Sequence, residues 1–113
     1  MPVMAESSTV LVADGLGALA EQNPISAGRV SPHFTFDGDG FRIRHLAFDE
    51  GAVLAEHTAP LPIIVHVVEG AVDFAVDGDI HTLHTGAILH VAAGNPHQVT
   101  AHERARLIVT LVG

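Results

Sequence analysis

From Phe34 onward the chain is cut by turn residues at short, regular intervals: Asp37-Gly38-Asp39-Gly40, Asp49-Glu50-Gly51, Pro60 and Pro62, Glu69-Gly70, Asp77-Gly78, Gly86 and Gly94-Asn95-Pro96. The pattern is one of short strands separated by turn residues, with almost no helix after Gln22. The segments between the breaks are rich in Val, Ile, Phe and Thr, the residues that suit a pleated surface. They predict about nine short strands, at 34–36, 41–48, 53–57, 63–68, 71–76, 79–83, 88–92, 97–101 and 106–112. Ala71 to Val76, Asp77-Gly78 and Asp79 to Leu83 give the best hairpin signal, since Asp-Gly suits a two-residue type I′ turn. Regularly spaced short strands with almost no helix imply an antiparallel sandwich or closed barrel.

The N-terminal third reads differently. Val10-Leu11-Val12 is a short extended piece, and Asp14 is placed to cap a short helix over Leu16 to Gln22. Gly15 and Gly17 weaken that helix, and Asn23-Pro24 ends it. Ile25 to Pro32 reads as a loop or arm. The expected division is therefore residues 1–33, an arm and short helix packing on the barrel, and residues 34–113, the barrel itself.

Composition excludes several functions. With 113 residues there is room for one domain, and 48% hydrophobic residues with a mean hydropathy of +0.37 are enough for a real core. Thirteen acidic residues against five basic ones give a net charge of −8, so nucleic acid and anionic membrane surfaces are not expected partners. Without cysteine there is no disulfide, thiolate metal site or cysteine nucleophile. No apolar run is long enough to span a membrane, and residues 1–20 lack a basic signal-peptide start, so the expectation is a soluble cytoplasmic protein.

Two glycine-anchored blocks carry a resemblance. The first runs from Gly51 through His57 to Gly70, and the second from Gly86 through Gly94 to His97, with 15 residues between Gly70 and Gly86. In these blocks the chain, over roughly Phe41 to Leu111, resembles the cupin family, small jelly-roll barrels (double-stranded β-helices) with two such motifs. The resemblance implies an all-β cupin barrel with a short N-terminal helix or arm, and an association as a homodimer. Cupins of the usual type hold one divalent metal with three histidines and a glutamate. Set on this chain, those positions fall on His57, Ala59, Ile63 or Ile64, and His97, so only two of the four ligands are present. The proline and asparagine of the second motif fall on Ala92 and Ala101.

The chain nevertheless has nine histidines. Neutral imidazole binds Fe, Ni, Mn or Zn, and three histidines with open positions would suit a catalytic divalent transition metal. His57 and His97 are the two family positions. His66 is the natural third candidate, because a bare imidazole within Ile63 to Val68 needs a reason. Strand parity turns it away from Ile63, and a bulge near Pro60 or Pro62 would reverse that. The expected metal ligands are therefore His57, His66 and His97, with His90 as a substitute for His66. His45 alternates with Phe41 and Ile43 and is expected in the core, on a face that turns toward the barrel interior. His81 and His84 flank the hairpin, and His33 and His102 read as loop or exposed residues.

Arg42 with Arg44, and Arg104 with Arg106, are spaced two apart, so each pair lines one face of its strand. On adjacent strands they would clamp a carboxylate, whereas pairing with surface Asp and Glu is the simpler expectation. No nucleophile elbow, Walker loop or dinucleotide glycine pattern is present. Three functions follow. The first is a metal-dependent enzyme, dioxygenase- or isomerase-like, acting on a small organic molecule. The second is a metal-free ligand-binding or sensor barrel. The third is a metal-free isomerase using a histidine base, for which neither motif supplies a partnering aspartate.

Overall fold

The computed structural model of the chain describes residues 8–113. A single short helix, α1 (Leu16–Gln22), precedes nine strands: β1 (Val30–Gly38), β2 (Phe41–Phe48), β3 (Val53–His57), β4 (Ile63–Glu69), β5 (Ala71–Val76), β6 (Asp79–His84), β7 (Ile88–Val91), β8 (His97–Ala101) and β9 (Ala105–Val112). They form two antiparallel sheets, one ordered β1-β2-β9-β4-β7 and one ordered β3-β8-β5-β6. This is the two-sheet jelly-roll barrel expected from the strand spacing. The Asp-Gly hairpin forms as expected. Val76 pairs with Asp79, and Asp77 and Gly78 take φ of 57° and 77°, both left-handed as a type I′ turn requires. No helix among the described residues is long and apolar enough to cross a membrane.

Alternation builds the core. In β4 Ile63, Val65 and Val67 are buried while Ile64 and His66 are exposed, and in β5 Val72, Phe74 and Val76 are buried between half-buried neighbours. These inward rows meet Phe48, Val91, Val99, Leu107 and Val109 from the other strands in one cluster. Gly70 ends β4 with φ 80°, and a Cβ there would meet the Arg104 carbonyl oxygen, so the turn into β5 admits no larger residue.

The N-terminal region departs from expectation. β1 begins at Val30, inside the segment read as arm, and pairs with β2 from Val30↔Phe48 to Gly38↔Phe41. Pro32 is tolerated because β1 is an edge strand, where a missing N–H costs no ladder bond. The helix lies where it was expected, but Gly15, not Asp14, is its N-cap, and no side chain caps it. Residues 10–12 form no strand. The part of the expected arm at residues 1–7 lies outside the described residues.

The face assignment of β2 is reversed. Leu46 and Phe48 pack on the core and Arg44 faces the same side, toward the barrel interior. His45 and Ala47, both 0% exposed, lie on the outer face. That face is buried because the end of α1 docks on it. The Asn23 side-chain amide donates to the carbonyls of Ser31 (2.7 Å) and His45 (3.2 Å), and Arg106 Nη1 donates to the Asn23 carbonyl (2.7 Å). Arg106 Nε also donates to Glu69 Oε1 at 2.9 Å. The arginine pairs therefore form no clamp. Arg44 and Arg106 occupy opposite faces of the sheet, and Arg104 precedes β9 and pairs with Asp49 at 3.4 Å.

Arg106 Nη1 also reaches His45 Nε2 at 3.4 Å. With Nε2 accepting, the proton sits on Nδ1, which is buried and has no partner. Burial, then the Arg106 charge and His33, push the His45 pKa down from 6.5 to about 4. The unfolded chain thus takes up a proton near pH 6.5 that the folded chain refuses until about pH 4. Stability is full above that window and falls as pH drops through it, by about 2 kcal/mol between pH 7 and pH 5. Asp37, Asp49 and Asp73, whose pKa values lie below 3.8, add their losses only in stronger acid. Urea titrations of His45→Leu across pH 5 to 7 are expected to show this slope reduced by the His45 share. An unchanged slope would place the acid sensitivity elsewhere.

Candidate functional site

The inward faces of the two sheets do not close completely. Between them lies a cavity of about 310 Å³, walled by Leu46, Leu54, Ile63, Val65, Leu107 and Val109, with His57, His97 and Arg44 among its lining residues. Two short strands bring the histidines together. β3 pairs with β8, and His57 stands directly opposite His97. β3 does not alternate regularly up to that point. Leu54 pairs with Val99, and three residues later His57 pairs with His97, only two residues earlier on β8. The extra residue is a β-bulge, and it turns His57 to the same side as Leu54, into the cavity. Regular alternation had grouped His57 with Val53 and Ala55, and the bulge overrides that grouping.

The two rings meet edge to face with centroids 4.3 Å apart, and Phe74 stacks on His97 at 5.3 Å and 15°. His57 is exposed at the cavity entrance, whereas His97 is 3% exposed. Each Nδ1 lies near the carbonyl two residues before it, His57 to Ala55 at 3.0 Å and His97 to Asn95 at 2.9 Å. A carbonyl only accepts, so each Nδ1 carries the proton. Each Nε2 then holds a lone pair that makes no hydrogen bond among the described residues. Burial pulls the His97 pKa below 6.5. The Asn95 hydrogen bond partly opposes this, and His57 adds to it, so the ring is neutral near pH 7.

His66 does not join this pair. β4 pairs regularly with both β7 and β9 from Ile63 to His66, and its only irregularity lies between Val67 and Glu69. No bulge follows Pro60 or Pro62, so His66 keeps its parity and lies exposed on the outer face of β4. His90, paired with Ile64, is exposed on that same outer face. Among the described residues no group of three or more His, Cys, Asp or Glu side chains is placed to hold a metal ion. Ala59 and Ile63, at the positions of the remaining usual ligands, line the cavity with hydrocarbon. The donors present are two imidazoles, and a three-histidine, one-glutamate set does not fit them.

Arg44 is the cavity residue that the face assignment missed. Its guanidinium donates from Nη1 to Asp37 Oδ1 (2.6 Å) and to the Ile43 carbonyl (3.0 Å), and lies 4.4 Å from the Phe34 ring centre. The signal was its parity with Leu46 and Phe48, two large apolar residues that point where Arg44 points.

The fixed tautomers give a direct check. Long-range ¹⁵N–¹H spectra at pH 7.5 are expected to show His57 and His97 as the Nδ1–H form, with His97 titrating below 6.5. A ring found with its proton on Nε2 would remove that lone pair from the cavity.

Comparisons with known proteins bear on the barrel that carries these residues. Three solved structures share the architecture. A conserved protein of unknown function from Streptococcus pyogenes is 20% identical with a TM-score of 0.74, over 95% of this chain and 89% of that one. An RmlC-like cupin from Shewanella frigidimarina is 24% identical with a TM-score of 0.70, over 76% and 78%. An RmlC-like cupin from Desulfovibrio desulfuricans is 22% identical with a TM-score of 0.69, over 99% and 96%. These likenesses speak to the fold. No curated protein matches the chain. The sequence model of the Cupin domain family matches residues 44–112, which runs from the cavity arginine through both histidine-bearing strands to the end of β9. With more than half of its length so matched, and with the two-sheet barrel that carries the match, the chain belongs to the cupin family.

Proposed function

We propose that this cupin binds a small organic molecule in the barrel cavity, with its hydrocarbon body against the Leu, Ile and Val walls and a hydrogen-bond donor on the Nε2 atoms of His57 and His97. The observation that carries this reading is the pairing of an apolar cavity with two tautomer-fixed imidazoles at one end. Its volume of about 310 Å³ lies at the small end of ligand sites, which run from roughly 300 to 1,000 Å³. Each methylene taken from water into such a cavity contributes about 0.8 kcal/mol. In calorimetry with hexanol, heptanol and octanol, affinity is therefore expected to rise roughly three- to fourfold per carbon. Val109→Phe, which fills the cavity, is expected to abolish the rise. No saturable binding, or a rise untouched by Val109→Phe, would refute the reading.

A second reading rests on the same two lone pairs. His57 and His97 would together hold one divalent transition metal (Fe, Ni, Mn or Zn), with water or ligand donors at the other positions. Such a metal would supply Lewis-acid polarisation of a bound oxygen. Protein without an affinity tag, measured by plasma mass spectrometry, decides between the two. Near one equivalent of metal, lost in both His57→Ala and His97→Ala, supports the metal reading. No metal after incubation with Fe, Ni, Mn and Zn leaves the barrel as a metal-free binding site.

A further inference from the structure

We infer that the cavity's ligand is a carboxylate and that Arg44 binds it, an inference that rests on the cavity reading above. Among the described residues Arg44 is the only permanently charged side chain that lines the cavity, and its own side chain is just 18% exposed. A guanidinium has five N–H donors. Two contacts use Nη1, to Asp37 and to the Ile43 carbonyl, and the plane is held over the Phe34 ring. Nε and Nη2 make no hydrogen bond among the described residues. An arginine in an apolar wall with one edge unused is costly unless something takes that edge. Its fixed plane makes the edge a preset fork for two parallel hydrogen bonds.

The charges at the rim favour an anion. Asp37, 60% exposed, is held below its usual pKa by Arg44 and also by Arg42, its cross-strand partner in β1–β2. The Asp37 carboxylate is thus shared between two guanidinium groups and does not answer to Arg44 alone. The single free edge and the hydrocarbon walls suit a monoanion with an apolar body. A dianion such as a phosphate ester would bring a second charge that no other cavity residue neutralises. The head group would sit on Arg44, on the five-stranded sheet, and the far end would reach toward His57 and His97, on the four-stranded sheet.

The test compares octanoate with octanol by calorimetry in the wild type, Arg44→Gln and Arg44→Lys, each first shown to fold by thermal melting. A charge-assisted bidentate contact is expected to make octanoate bind at least about tenfold more tightly than octanol. Arg44→Gln is expected to erase that preference, so that octanoate and octanol bind that variant with equal affinity. Arg44→Lys, which keeps the charge without the fork, is expected to restore only part of it. Equal affinities for octanoate and octanol in the wild type would overturn the carboxylate inference and leave the cavity reading intact. A preference that survives Arg44→Gln would overturn the assignment to Arg44. Binding of neither compound would overturn the cavity reading and this inference with it.

Discussion

The first half of β9 is buried on both faces, and the rest of the structure depends on that. It lies between β2 and β4 in the five-stranded sheet. Its inward residues, Leu107 and Val109, form part of the cavity wall, and its outward Arg106 lies under the end of α1. A strand with one solvated face would accept an exposed charge there at little cost. Here the guanidinium is 5% exposed, so Glu69, the Asn23 carbonyl and His45 must all be in place to satisfy it. The docking of the N-terminal segment and the shape of the cavity are thus set from two sides of one strand.

The four-stranded sheet is organised in a similar way around β8, which lies between β3 and β5. Its Val99 and Ala101 are core residues, and its His97 sits at the cavity end of the same inward row. Phe74 stacks on that imidazole and the Asn95 carbonyl fixes its proton. The ring is therefore held by packing and by backbone, not by a charged neighbour. A cupin barrel supports many chemistries. In this chain the interior offers two imidazoles on one sheet, one arginine on the other, and hydrocarbon between them.

Much of the fold was legible because turn chemistry is local. The Asp-Gly hairpin, the nine strands and the span of α1 follow from residues adjacent in sequence. What failed was whatever depended on a distant partner. Val30 to His33 did not read as strand, because Pro32 is acceptable only on an edge and the edge is a property of the whole sheet. The inner face of β2 was misread because both of its faces carry buried apolar residues, so hydrophobicity alone could not tell the core from the surface beneath α1. His66 was expected at the site by way of a bulge after Pro60 or Pro62; β4 pairs without a break there, so the residue keeps its outward parity. His57 was grouped with the wrong neighbours because a bulge leaves no mark on periodicity; it appears only when the two strands are laid side by side.

That bulge gives chain length a chemical meaning. Between Leu54 and His57 the strand carries one residue more than its partner needs. Loss of that residue would restore an even ladder and would leave the distant core contacts in place. It would also leave the imidazole on the cavity side, because an even ladder sets the second residue after Leu54 opposite His97. The bulge and the even ladder are thus two ways to bring a histidine to the same side, one at an odd and one at an even spacing from Leu54. For a barrel of this kind, the spacing within one strand does not say which way a histidine faces; the residue count of the partner strand decides it.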